Sequence, residues 1–295
     1  FGPTGATESS QENTSIRLDW NINDKHRLTF NHKDVYGTDL RGSSSDRNTV
    51  ALYSARYIKS EETTTNSFHL VSDLADNLIS EVYISTKETA TDQVSPAGQN
   101  MPSITIDEAF GYEFVAGPDI FRMANDLDTE TNFFKAKLTY YQNNHKITAG
   151  FENSVYDTYN VFIVDEDGSF EFDDLAALQA GQFSSYSASG AKTGNVADAA
   201  ADFEYELTSM YLMDEYTMSD TMTLTYGIRY DEYSGDDTPT NTSFQNTYGF
   251  KNGGIKGTDL LTYRVGLDIM LDDLSDLNIT YGTYSAKLPN VWISN

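Results

Sequence analysis

Apolar and polar residues alternate along several stretches of this chain. In residues 14–21, Ile16, Leu18 and Trp20 occupy every second position and polar residues fill the others. The same alternation recurs in residues 27–33, 145–154, 222–231 and 262–269. Successive side chains of a β-strand point to opposite faces, so the pattern predicts strands with one apolar face and one polar face.

Very short and very long connections alternate between these strands. Turn-forming residues occur at 22–24, 74–77, 142–144, 218–220 and 272–275, and long polar stretches occupy 34–61, 88–131, 155–203 and 233–258. Together they predict about ten strands, at 14–21, 25–33, 62–73, 78–88, 132–141, 145–154, 204–217, 222–232, 259–270 and 276–286. The chain is therefore predicted to be an antiparallel array of hairpins.

A soluble β-sandwich also has alternating strands, so alternation by itself leaves two folds open. The predicted strands are about 9–11 residues long, as a tilted strand crossing a bilayer must be, whereas soluble strands are most often about 5–6 residues. Long loops follow only every second strand, which is typical of outer-membrane barrels with short periplasmic turns. We therefore predict an all-β fold, an antiparallel transmembrane β-barrel with long extracellular loops.

In this orientation the first strand begins, and the last strand ends, on the long-loop side. Such an arrangement is typical of an internal piece of a larger barrel, and further strands are expected to cover the two sheet edges, because unpaired edges in lipid are very costly. The apolar run at 50–55 is predicted to be a loop extension, because a spanning strand there would reverse every later loop.

Composition narrows the alternatives. The chain has 20 Tyr and 16 Phe but only 6 Pro, which favours strands. No window approaches the ~18 consecutive apolar residues of a spanning helix, and this excludes a helical membrane protein. Zero cysteines exclude disulfides and thiolate metal sites. A net charge of -26 argues against a nucleic-acid partner, and it also fits a halophilic or marine source.

The acidic long loops are the candidate binding surfaces. We predict substrate contacts at Asp126, Asp128, Asp165, Asp167, Asp173 and Asp174, because their charge would attract cations or basic peptides. The alternative is that these carboxylates keep the exposed rim soluble and bind divalent ions beside lipopolysaccharide. The stretch 165–168 departs from an EF-hand loop, because its glycine is at position 4 rather than 6. No cofactor is predicted, and a loop-bound divalent cation is left open.

Three smaller features have structural interpretations. Asp173 is predicted to cap a short helix that begins at Leu175 and ends at Gly181. His26 and His145 occupy equivalent positions next to turns and are predicted to be structural. On the polar face, ion-pair ladders are predicted for Arg17, Arg27, Arg229 and Arg264 with Asp19, Asp231 and Asp268.

Motifs of common enzymes are missing from the sequence. It contains no G-x-S-x-G elbow, no G-x-x-x-x-G-K-[ST] phosphate loop and no H-E-x-x-H pair. Paired carboxylates carry little information in a chain with 45 acidic residues. We predict that the protein is not an enzyme.

The hairpin of residues 211–216 and 224–231 contains the most specific motif. It resembles the barrel hairpin of TonB-dependent outer-membrane transporters, in which a Q-D-x-W strand precedes L-T-x-G-x-R-Y-D; here Met213 and Tyr216 replace Gln and Trp. The segments 15–20, 24–28 and 287–295 are similar to the Oar-like branch of that family, and 72–78 also resembles it. The resemblance covers most hairpins from about residue 12 onward, whereas the long loops match no known pattern.

This resemblance implies a barrel of about 22 strands that encloses an N-terminal plug domain and is driven by the TonB complex. The chain contains no recognisable plug or TonB box, so residues 1–295 are expected to be a segment of the barrel domain, with coupling to TonB through parts outside this segment. The expected location is the outer membrane of a Gram-negative bacterium, in contact with lipid and lipopolysaccharide. The expected function is active uptake of a large substrate, a peptide or protein rather than a siderophore.

Two other functions remain open at this stage. The chain would be a structural or adhesive outer-membrane protein if its outer loops bound an extracellular partner protein without transport. It would be a soluble acidic β-sandwich, such as a lectin or an enzyme, if it purified without detergent.

Overall fold

The computed structural model describes residues 9–42, 45–96, 98, 100–108, 111–235, 242–249 and 255–287. Strands β1 to β8 are, in chain order, Ser9–Asn23, His26–Gly42, Thr49–Ala51, Arg56–Ala75, Leu78–Val94, Ser103–Glu108, Tyr112–Ala116 and Ala124–Gln142. Strands β9 to β15 are His145–Ile163, Ser169–Phe172, Ser185–Ser187, Ala201–Ser219, Met222–Ser234, Thr258–Asp272 and Ser275–Gly282. Two short helices, α1 and α2, are Leu175–Ala180 and Thr242–Tyr248.

Ten strands form one antiparallel sheet, which we call the wall. Its order is β1-β2-β4-β5-β8-β9-β12-β13-β14-β15, so every wall strand pairs with its neighbours along the chain. Two-residue turns at 24–25, 76–77, 143–144, 220–221 and 273–274 join the hairpins. All ten predicted strands and all five predicted turns are thus confirmed.

The wall strands are longer than predicted and the loops are shorter. The strand β4 contains 20 residues and begins at Arg56 rather than at residue 62, and β9 extends to Ile163 rather than to residue 154. The added residues lie on the long-loop side, where apolar side chains occur at consecutive positions, as at Val161 and Phe162, and break the alternation although the backbone ladder continues. At the other extreme, β15 ends at Gly282 and not at residue 286.

The two faces of the wall differ in chemistry. Leu212, Ile228 and Tyr263 lie directly opposite one another on three adjacent strands, and each is about half exposed. The other face buries small polar groups such as Thr148 and Ser209. A wide exposed apolar belt is unusual for a soluble protein, whereas it is what the lipid-facing side of a barrel requires. We call the two sides the apolar face and the polar face.

A second sheet is built from the long loops. Its order is β11-β10-β6-β7-β3, with parallel pairs β10·β6 and β3·β7 between different loops. The run 50–55 contributes β3 and a single 3-10 turn to this region, which confirms that it is not a wall strand. The long loops are therefore held to one another by backbone hydrogen bonds.

The helix α1 follows β10 and contacts β10 and β6 of this second sheet. Its cap is Asp174, whose carboxylate accepts a hydrogen bond of 2.7 Å from the backbone N–H of Ala177, and the prediction of Asp173 as the cap is wrong by one residue. Extended backbone at Asp174 places its side chain over the first turn, as a capping residue requires. Gly181 ends the helix at φ 68°, as predicted. None of the described helices is long and apolar enough to cross a bilayer.

Candidate substrate-binding surfaces

The polar face carries a charge network across β9, β12 and β13. The guanidinium of Arg229 donates to Glu152 at 3.0 Å and to Asp231 at 2.8 Å. Ser209 also donates to Asp231 at 2.6 Å, and the ring centroid of Tyr211 lies 5.8 Å from the guanidinium carbon. Asp231 is only 5% exposed, so its charge depends on these donors.

The predicted ladders are confirmed in part. Arg17 pairs with Asp19 at 2.8 Å, as predicted. In the described part of the chain, however, Arg27 and Arg264 form no ion pair; Arg264 instead contacts the sulfur of Met213 at 2.7 Å. Lys137 forms an ion pair with Glu81 at 2.5 Å that was not predicted. These two residues face each other between β5 and β8, a register that alternation alone does not reveal.

The two predicted structural histidines lie next to the short turns of the wall. His145 Nδ1 is 2.7 Å from the carboxylate of Asp214, and its ring stacks on Tyr216 at 4.4 Å. His26 begins β2 directly after the turn. Both positions agree with the structural role that was predicted for them.

An aromatic cluster lies on the polar face at its loop end. We call it the mouth cluster; it consists of Tyr156, Phe203, Tyr205 and Tyr233. Tyr156 and Tyr205 face each other on β9 and β12, and their rings stack with centroids 4.8 Å apart. Phe203 and Tyr205 are 2% and 1% exposed, so this is one of the most tightly packed parts of the described chain.

Residues 283–287 cross the polar face below this cluster. Thr283 ends the ladder of β15, because its hydroxyl takes the hydrogen bond of the Tyr263 N–H at 3.1 Å. Ser285 then donates to Asp231 at 3.0 Å, and Lys287 Nζ reaches 3.3 Å from the ring centroid of Tyr156. We call residues 283–287 the strap. Burial and the positive charge of Lys87 lower the pKa of Lys287 to about 8.

A cavity of about 720 Å³ lies between the strap and the wall. Three acidic and three basic side chains line it: Glu152, Asp231, Asp259, Arg229, Arg264 and Lys287. The formal charges balance while Lys287 is in place. A cavity of this size and polarity suits a polar or charged group.

Two predicted binding residues, Asp126 and Asp128, lie on the other side of the wall. They are on the loop end of β8, on the same face as Phe134 and beyond the apolar belt. Burial, followed by the charges of Asp128 and Asp92, raises the pKa of Asp126. They border a row of carboxylates that face one another on four adjacent strands: Glu88, Glu130, Asp157 and Glu204.

The other four predicted residues lie among the loops. Asp165 takes φ 56° and accepts from Ser187 at 2.6 Å, and Asp167 accepts from the backbone of Asn100 at 3.0 Å. Asp174 caps α1, whereas Asp173 is exposed beside it. The six residues thus fall in three separate places, and no group of three or more potential metal ligands occurs among the described residues. Their contact with substrate stays a prediction.

Comparison with known proteins agrees with the wall and its two faces. A family model described as an outer membrane beta barrel domain matches residues 2–265. Among solved structures, the ferric-catecholate import receptor Fiu from E. coli K12 has a TM-score of 0.60 at 12% identity; 94% of this chain and 43% of Fiu are covered. The outer membrane transporter YddB from Escherichia coli has a TM-score of 0.56 at 9% identity, with 88% and 29% covered.

The copper transporter OprC has a TM-score of 0.52 at 11% identity, with 94% of this chain and 36% of OprC covered. The chain therefore spans less than half the length of each of these three proteins. A search among curated proteins found no match. At these identities the structural likeness defines the fold alone.

The chain thus has the all-β fold of an outer-membrane β-barrel domain, and its wall has an apolar face and a polar face. It belongs to the outer membrane β-barrel domain family. Its location is the outer membrane of a Gram-negative bacterium. The predicted resemblance to TonB-dependent receptors is confirmed as a likeness of fold, whereas no comparison singles out the Oar-like branch.

Proposed function

We propose that this chain forms part of the barrel wall and the outer loops of a transporter for active uptake of a substrate too large for porins. The observation that carries the proposal is the cavity of about 720 Å³ on the charged polar face. A purely structural barrel needs no such cavity lined by charged side chains. The solved neighbours include an import receptor and two transporters, which supports the same class of function.

The proposed substrate is a peptide or a protein fragment. Support comes from the chemistry of the polar face, where carboxylates and tyrosine rings suit backbone amides and basic side chains. The names of the solved neighbours refer to ferric catecholate and copper, so the shared fold does not select a cargo. Energy from the TonB complex would enter through parts of the protein outside this segment, and we propose neither catalysis nor a resident cofactor for the chain.

A second candidate function is adhesion through the outer loops. It is favoured by the second sheet, which presents Phe183 and Tyr186 at 53% and 52% exposure beside α1. Exposed aromatic patches commonly mark interaction surfaces. Under this alternative a partner protein binds to the loops and nothing enters the cell.

Uptake by whole cells separates the two candidates. Cells with and without the full-length gene would be incubated with fluorescent oligopeptides, and internal label would be measured after surface protease treatment. We expect gene-dependent internal label that a protonophore abolishes, while binding at the surface persists. Gene-dependent surface binding with no internal label would instead favour adhesion.

A further inference from the structure

Lys287 places its ammonium group on the face of an aromatic ring rather than beside a carboxylate. Its Nζ is 3.3 Å from the ring centroid of Tyr156 and 5.8 Å from that of Tyr205. In the part of the chain that the structure describes, no carboxylate lies within ion-pair distance of it. The negative face of a tyrosine ring attracts a cation at this range, so the stacked pair Tyr156–Tyr205 already acts as an ammonium site.

The strap that delivers this lysine is anchored to β14 at its first residue, because the backbone N–H of Thr283 donates to the carbonyl of Tyr263 at 2.9 Å and its hydroxyl accepts from the Tyr263 N–H at 3.1 Å. Beyond Thr283, its described side-chain contacts to the polar face are the Ser285–Asp231 hydrogen bond and the contacts of Lys287 with the two tyrosine rings. Tyr284, in its middle, is 71% exposed. Burial and repulsion from Lys87 oppose the ammonium in this position, so the contact of Lys287 with the ring adds little to the attachment of the strap.

We propose that the Tyr156–Tyr205 pair is a binding site for a primary ammonium group, that Lys287 is its resident occupant, and that a lysine side chain of a peptide substrate replaces it. The strap then lifts from the polar face and opens the cavity beneath it. This inference rests on the proposed uptake function, and it narrows the substrate class to peptides with basic side chains.

The surroundings of the site favour a basic peptide over a simple amine. Glu152 lies on the same face of β9 as Tyr156, four residues nearer the turn, and Asp231 lines the same cavity. Once Lys287 has left, three carboxylates and two arginines line the cavity. The peptide amino terminus or a second basic residue would then find a net negative lining about 13 Å from the ring. The exchange replaces one cation–aromatic contact by another and leaves the cavity free for the peptide backbone.

The test compares two peptides on the full-length protein in detergent micelles. The probes are a fluorescently labelled Ala-Lys-Ala and its Ala-Gln-Ala counterpart, and the dissociation constants are measured by fluorescence anisotropy. Lys287→Gln removes the competing ammonium, so the lysine peptide should bind about 2- to 30-fold more tightly than to the parent protein, the range expected of a cation–aromatic contact. The glutamine peptide should change little.

Two substitutions of one ring serve as matched controls. Tyr156→Phe keeps the aromatic face and should preserve the preference for lysine, whereas Tyr156→Leu should abolish it. Heat-modifiable migration on gels shows that each variant is folded. Equal binding of the two peptides to the Lys287→Gln variant, or an unchanged preference in Tyr156→Leu, would overturn the proposal.

The binding assay in micelles and the uptake assay in cells together separate this inference from the proposed function. A lysine preference that depends on Tyr156, in cells that show no peptide uptake, would contradict the uptake function and leave the ammonium site in place. Peptide uptake without any lysine preference would contradict the ammonium site and leave the uptake function in place.

Discussion

At the scale of single residues, the polar face depends on one arginine that serves two strands. Arg229 donates to Asp231 on its own strand and to Glu152 on β9. Asp231 is 5% exposed, and a buried carboxylate without donors is costly. The charge of Arg229 is therefore a structural requirement of this face, and not only a feature of its chemistry.

Replacement of this arginine should be clearly destabilising. We expect Arg229→Ala to cost about 1–3 kcal/mol, because Asp231 and Glu152 lose a charged donor at a site shielded from water. The midpoint of heat-modifiable migration on gels measures the loss. Arg41→Ala is the matched control: Arg41 pairs with Asp39 at 2.8 Å with half of its side chain exposed, and such exposed pairs contribute about 0–1 kcal/mol. Equal shifts in the two variants would contradict this account.

At the scale of elements, neighbouring wall strands fit together through a glycine and a tyrosine. Gly150 on β9 faces Tyr211 on β12, and the tyrosine ring lies over the space that a side chain at 150 would fill. The same ring also packs against Arg229. The Gly150–Tyr211 pair thus joins the backbone packing of the wall to its charge network.

A methyl group at this glycine should displace the ring. We expect Gly150→Ala to cost about 1–3 kcal/mol, the usual effect of overpacking, and to weaken the contact of Tyr211 with Arg229. Gly266→Ala on β14 provides the control, because its added carbon meets nothing nearer than 3.6 Å. Thermal midpoints of the two variants in micelles are the measurement, and a larger loss in Gly266→Ala would refute the packing argument.

The loop helix α1 provides a second prediction at this scale. Loss of the capping carboxylate in Asp174→Ala should cost about 1 kcal/mol locally, which corresponds to roughly fivefold faster cleavage when local opening precedes proteolysis. Asp173→Ala, one residue earlier, should leave the rate unchanged because Asp173 does not cap the helix. Elastase added to intact cells would cut at the alanines of α1, and similar rates for both variants would contradict the assignment of the cap.

The elements differ in how far the sequence predicts them. All wall hairpins follow from alternation and turn residues, because each is a local pattern. The outer ends of the strands do not follow, because apolar and polar residues no longer alternate there, as at Tyr57 and Ile58 of β4. The second sheet does not follow either, because β6 and β10 come from different loops. The mouth cluster could not be predicted for the same reason: Tyr156 and Tyr205 are 49 positions apart, and only the register of β9 and β12 brings them together.

At the scale of the whole molecule, the two ends of the wall differ. The turn end has two-residue connections, and the loop end carries the second sheet, α1 and the row of carboxylates. This asymmetry predicts that the turns lie in the periplasm and the loops outside the cell.

Cysteine labelling can test this orientation, because the chain contains no cysteine. We expect Gly190→Cys, in an open part of a long loop, to react in intact cells with a maleimide that cannot cross membranes. Leu274→Cys, in a turn where the side chain is 96% exposed, should react only after the outer membrane is permeabilised. The parent protein gives the background, and the reverse pattern would show that the wall is inverted.

The order of the wall strands has a consequence for biogenesis. Each wall strand pairs only with wall strands that are adjacent to it in sequence, so no later strand has to be inserted between two earlier ones. Loop closure within each hairpin spans two residues, which keeps its entropic cost low. The wall can therefore be extended at one edge, one hairpin at a time, in the same order in which the strands reach the membrane.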